Sequence, residues 1–191
     1  ECIKKERLKY PNFLMLYIGQ LIKRKGVLRV LKALSKLQDS NIGFLIVGIG
    51  PEEDKLGKFC EDRRLKNVYF EGFQQKQNLP YYYALADVLI LPSFKEPWGL
   101  VVNEALASGL YVLCSNKAGA SYDLIRDGWN GEMFDPLDVE EISLSIRKTM
   151  KRIEVIRTKR KVISEHACQK FGIDRSAECF FQAIYSLKGN K

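Results

Sequence analysis

Short apolar runs, set apart by segments of helix length, constrain this chain more than any other feature. FLMLYIG (13–19), IGFLIVG (42–48), NVYFEG (67–72), DVLILP (87–92), YVLCS (111–115) and GEMF (131–134) are the runs. The first, second and fourth are apolar throughout rather than alternating, as strands covered on both faces are. Between the first two, Val27, Val30, Leu31, Leu34 and Leu37 recur at helical spacing with one face inward. Further helices are expected to open at Pro51 and to span 79–86, 137–150, 153–167 and 174–187. Strand and helix therefore alternate, and the expected architecture is α/β, a doubly wound, mostly parallel sheet of six strands with extra C-terminal helices.

The 191 residues suit one domain with a core of its own. No apolar run approaches the ~20 residues of a membrane-crossing helix, and the charged start ECIKKERLKYP is not a signal peptide. Five scattered cysteines and one histidine, His166, make no zinc pattern. Reduced thiols and a cytoplasmic setting follow as expectations. A net charge of +8 favours anionic partners. No basic motif interleaved with aromatics argues for nucleic acid. The basic run 151–161 reads as a solvated helix face, with an anionic membrane surface, at the inner face of the membrane, as its competing role.

In a doubly wound sheet, ligands bind beyond the carboxyl ends of the strands. The most specific segment there is EPWGLVVNE (96–104), which follows the fourth run and opens a helix. Glu96 lies on the loop and Glu104 about two turns into the helix. The amides of Trp98, Gly99 and Leu100 have no helical acceptor and attract an anion. Carboxylates beside such an anion site suit hydroxyl groups, so the pair suits a sugar nucleotide. GQLIKRKG (19–26) places Lys23, Arg24 and Lys25 just before a helix, as a phosphate site would. GIGP (48–51) lacks the third glycine of a dinucleotide fingerprint. In NKAGASYD (116–123), Ser121 or nearby amides could meet a ligand, and Asp123 reads as a first-turn acid. Each segment has a plain alternative: a solvated basic turn, a surface glutamate, a helix-entry charge.

In order along the chain, YIGQLIKRKG, LIVGIGP, VYFEGF, YYALADVLILPS, EPWGLVVNEALASG and NKAGASYDLIRDGWNGEMFDP resemble the C-terminal domain of the family 4 retaining glycosyltransferases. The resemblance implies the Rossmann-like, donor-binding half of a GT-B fold. It implies a transferase that moves a sugar from a UDP- or GDP-linked donor to a glycan or lipid-linked acceptor, as in polysaccharide biosynthesis. Under it Lys25 neutralises the diphosphate and Glu96 meets the donor sugar, the two catalytic positions. Glu104 holds the ribose, and Pro97, Trp98, Gly99 and Leu100 line the sugar and phosphate. The turn at Phe73 meets the base. No metal and no other cofactor is implied. The family's usual arginine after the first-strand glycine is replaced by Gln20, so Arg24 or Lys23 is a candidate for its charge. The resemblance also implies 1–12 as a linker from a missing N-terminal acceptor domain, 13–170 as the nucleotide-sugar domain, and 171–191 as a helix packing back on the missing half. The chain alone is then expected to be inactive. A sugar-nucleotide epimerase of the same architecture and a non-catalytic α/β binding module are the alternatives.

Overall fold

The structure, a computed structural model, describes residues 2–172. Six strands form one sheet: β1 (Phe13–Ile18), β2 (Ile42–Val47), β3 (Val68–Phe70), β4 (Val88–Leu91), β5 (Tyr111–Ser115) and β6 (Gly131–Phe134). Their order is β3-β2-β1-β4-β5-β6, and every pairing is parallel. β1 and β2 pair in full register from Phe13 opposite Ile42 to Ile18 opposite Val47. The sheet therefore turns back between β1 and β4, the switch point at which doubly wound sheets place their ligands.

Successive strand side chains point to opposite faces, and two cores follow. Phe13, Met15 and Tyr17 of β1 join one, against α2 (Val27–Leu37), α3 (Glu53–Asp62) and α7 (Val139–Lys151). Leu14, Leu16 and Ile18 join the other, against α4 (Leu79–Leu85), α5 (Leu100–Ala107), α6 (Gly119–Leu124) and α9 (Arg160–Phe171). The continuous apolar runs are continuous because both faces are covered. The helical stripe on α2 is as expected, with Val27, Val30, Leu31 and Leu34 buried. Asp138 caps α7, its carboxylate accepting from the amides of Glu140 and Glu141.

Several expectations are corrected. Pro51 does not open a helix; it sits in a turn, and α3 starts at Glu53. The stretch 153–167 is not one helix but two, α8 (Ile153–Thr158) and α9, parted at Lys159. The break carries the chain from one layer to the other, since Ile153 and Ile156 belong to the first core and Ile163 and Ala167 to the second. The run 151–161 is not simply a solvated face, because three of its arginines turn inward. Arg152 reaches Glu132 and the Gly128 carbonyl. Arg157 grips Asp87, and Arg160 donates to the carbonyls of Ala86 and Tyr83.

Within 1–12, Cys2–Arg7 forms a short helix, α1, and Arg7 donates to Asp87 at 2.8 Å. The helix expected at 174–187 lies outside the described residues. No described helix is long and apolar enough to cross a membrane.

Candidate functional site

The loops after β1 and β4 carry the catalytic candidates, and backbone hydrogen bonds lock these loops together. Lys23–Lys25 forms a single 3₁₀ turn, and Gly26 then takes φ 72° before α2. A side chain at Gly26 would meet the Pro92 carbonyl oxygen at 2.0 Å, so the β1 and β4 loops touch only because this residue is glycine. Beside that contact the Phe94 amide donates to the Arg24 carbonyl at 2.7 Å. On the other side, the Glu96 amide donates to the Lys117 carbonyl, and the amides of Gly119 and Ala120 donate to the carbonyls of Glu96 and Trp98. The Glu96 loop is thus stitched to the loops on both flanks.

This stitching brings Lys25 and Glu96 into an ion pair at the switch point, with both side chains largely shielded (15% and 12% exposed). The Ser93 hydroxyl, fully buried, lies 3.4 Å from the same Glu96 oxygen. The other oxygen, Oε1, accepts from no group among the described residues and keeps contact with solvent. Charge from Glu96 is felt by neighbours beneath it. Burial first, and then Glu96, pushes the Tyr17 phenol above its usual range and the Cys114 thiol up to about 12.

Glu104 is the fifth residue of α5, a little over one turn in rather than two. Tyr83 of α4 donates to its Oε2 at 2.6 Å. Gly99, with φ 101°, leads into α5, a left-handed conformation that a side chain would strain. The first amides of α5 have no acceptor inside the helix. Trp98 is held across that turn by a hydrogen bond from its indole nitrogen to Asn103 at 2.9 Å. Pro97 and Leu100 stand exposed on the same turn. Phe73 is also exposed, on the turn after β3.

The structure separates the remaining candidates. Gln20 is exposed, and its carbonyl accepts from the Tyr17 hydroxyl at 2.8 Å. The Arg24 guanidinium donates to the Lys95 carbonyl at 3.2 Å, which keeps it on the rim of the β4 loop. Ser121 is fully buried and donates to the Ala118 carbonyl, so it faces the fold rather than a ligand. Asp123 lies in the last turn of α6 and is exposed, not in a first turn. Nor does His166 approach the site; it packs edge-on against Trp129 with ring centroids 4.9 Å apart.

Three residues of the site were not singled out individually by the sequence: Tyr17, Ser93 and Tyr83. Tyr17 lies within the first apolar run, and Ser93 just after the fourth, in a strand-end turn of the kind that carries ligands. Tyr83 is one of three consecutive tyrosines, and only the packing of α4 shows which of them faces α5. Two surface cavities, about 730 Å³ beside Asp87 and about 410 Å³ beside Leu65, lie at the amino end of the sheet and touch neither Glu96 nor Glu104. The carboxylates instead flank the open carboxyl-end face. Among the described residues, no cluster of histidine, cysteine or carboxylate side chains could hold a metal ion.

The chain is similar to known proteins in sequence and in fold. Residues 1–169 match the family described as glycosyl transferases group 1. An uncharacterized glycosyltransferase of Methanocaldococcus jannaschii is 30% identical over 139 residues, 72% of this chain and 35% of its own length. The sulfoquinovosyl transferase of Arabidopsis thaliana is 33% identical over 137 residues, 70% of this chain and 26% of its own length. Among solved structures, HepE of Anabaena in complex with UDP and glucose superposes with a TM-score of 0.82 at 23% identity, covering 96% of this chain and 52% of that one. The C-terminal domain of a group 1 glycosyl transferase, LpcC of Francisella tularensis, gives 0.77 at 22% identity, covering 88% and 91%. At these identities the solved structures speak for the fold, the C-terminal half of GT-B. The chain spans about a third of the curated relatives and about half of the HepE chain. With the match running over nearly the whole sequence and the fold in agreement, the chain belongs to the glycosyl transferases group 1 family.

Proposed function

We propose that this chain is the donor-binding half of a retaining, metal-independent glycosyltransferase of family 4. The observation that carries the reading is the meeting of Lys25 and Glu96 at the switch point, from two loops that the backbone holds in contact. Breaking a glycosidic bond to a nucleotide diphosphate leaves negative charge on the diphosphate. A lysine and the first amides of α5 stabilise that charge where it grows. Glu96 accepts hydroxyl hydrogen bonds from the donor sugar, and Glu104 accepts them from the ribose. The turn at Phe73 meets the base, and Pro97, Trp98, Gly99 and Leu100 enclose the sugar and diphosphate.

On this reading the ion pair has a role before the donor arrives. Each partner offsets the other's burial, and the incoming diphosphate and sugar hydroxyls replace that mutual contact. Arg24 supplies a second cation beside the diphosphate, while Gln20 offers only a neutral amide. Domain bounds of 1–12, 13–170 and 171–191 go with the proposal, as does an acceptor-binding half outside this chain. HepE, solved with UDP and glucose, supports a UDP-linked donor; a GDP-linked donor is the other arm of the test.

Calorimetric titration of the chain with UDP, GDP, ADP and the matching diphosphate sugars tests the reading. We expect one base to bind, and to bind equally well after a chelator is added. No heat with any of them would leave a non-catalytic binding module. Product analysis of the full-length protein then checks that the anomeric configuration of the donor sugar is retained.

A further inference from the structure

We propose that Tyr83 is a positioning residue, whose hydroxyl fixes one oxygen of Glu104 so that the other is presented to the ribose of the donor. The proposal rests on the reading of Glu104 as the ribose ligand and adds to it a residue that acts through the carboxylate.

Four observations carry it. The Tyr83 hydroxyl donates to Glu104 Oε2 at 2.6 Å, the length of a strong bond to a charged acceptor. The Tyr83 side chain is itself fixed, being 3% exposed and packed in the second core. Its hydroxyl therefore comes from a rigid element rather than a mobile surface chain. Thirdly, no cation pairs with Glu104 among the described residues; Tyr83 is its one side-chain partner there. Glu104 differs in this from Glu96, whose charge is met by Lys25. With one oxygen taken by a phenol and no described cation alongside, the lone pairs of the other oxygen are left for neutral donors such as vicinal hydroxyls. Lastly, Oε1 accepts from no described group and is not shut away from solvent, so a lone-pair face is available to a ligand.

Burial, then the hydrogen bond to Glu104 and its charge, raise the Tyr83 phenol above its usual range, which agrees with a protonated hydroxyl that donates to the carboxylate. The adjacent Tyr82 offers a comparison. Its hydroxyl lies 3.3 Å from Glu71, beyond β3, a longer contact with a different carboxylate. Consecutive tyrosines of α4 thus serve separate carboxylates, and the shorter bond is to the one assigned to the ribose.

The test compares UDP, GDP and ADP, each beside its 2′,3′-dideoxy analogue, by calorimetry on the chain and on the variants Tyr83→Phe, Glu104→Gln and their double. The wild type is expected to favour the ribose form of its preferred nucleotide about tenfold. Tyr83→Phe should lose most of that preference while the affinity for the dideoxy analogue stays put. Adding Tyr83→Phe to Glu104→Gln should change nothing further. If the wild type binds ribose and dideoxy forms alike, or binds none, Glu104 is not the ribose ligand and the proposal falls with that reading. If the wild type discriminates and Tyr83→Phe discriminates equally, the positioning role alone is overturned. A drop that is equal for both forms marks a packing defect and also overturns it. Thermal unfolding of each variant accompanies the titrations, and a folded Glu104→Gln that keeps its ribose preference refutes the proposal even where Tyr83→Phe does not fold.

Discussion

At the scale of the residue, the proposed diphosphate site sets Lys25 and Gln20 apart. Lys25 is shielded, sits at the switch point and pairs with Glu96. Gln20 is exposed, and its contact with the fold is through its carbonyl. In the full-length protein, Lys25→Ala should lower kcat by about 100-fold or more, the size expected for a lost transition-state charge contact. Gln20→Ala should stay within about threefold. Steady-state kinetics with the donor decide between them, and small, equal effects would remove Lys25 from the diphosphate. The alanine variant also leaves Glu96 shielded without its partner, so its unfolding temperature should fall too. Both residues could be named from sequence because GQLIKRKG and EPWGLVVNE are local strings. That Lys25 and Glu96 would bond to each other was not legible, since 71 residues separate them.

At the scale of the element, Asp87 is the clearest joint. It is 4% exposed, at the amino end of β4, and accepts from Arg7 of α1, from Arg157 of α8 and from the Leu14 amide of β1. One carboxylate thereby ties two helices to two strands. Removing one partner of a buried, hydrogen-bonded set costs about 3–5 kcal/mol, so Asp87→Ala should lower stability by that order. Urea unfolding at neutral pH measures it, and a loss under about 1 kcal/mol would show that the arginines find other partners. Helical periodicity could not foresee this joint, nor the break between α8 and α9. An apolar spacing of 3.6 continues across Lys159, whereas the two cores claim the residues on either side.

At the scale of the whole molecule, the chain should weaken at high pH because its buried phenols and thiols resist ionising. Burial is the first cause in each case: Tyr82 is raised to about 12, Cys60 to about 11 and Cys114 to about 12, with Tyr10, Tyr17, Tyr83 and Tyr111 raised as well. Below their ordinary values, near 9 for thiols and 10 for phenols, folded and unfolded chains hold the same protons. Above them the unfolded chain releases protons first, so stability falls as pH rises through the raised values. Urea midpoints should be level from neutral pH to about pH 9 and then decline through about pH 12; a level midpoint throughout would contradict the burial of these groups. The amino-acid sequence by itself determined the layers and the strand-end loops that carry the candidate site. Apolar runs of strand length and helical stripes dictate a parallel sheet with both faces covered, and the local strings after β1 and β4 name Lys25, Glu96 and Glu104. Tertiary structure alone decided which of these groups meet and what holds them. The Lys25–Glu96 pair, the grip of Tyr83 on Glu104 and the knot at Asp87 join residues remote in sequence, and only the order of strands in the sheet brings such residues within hydrogen-bonding distance.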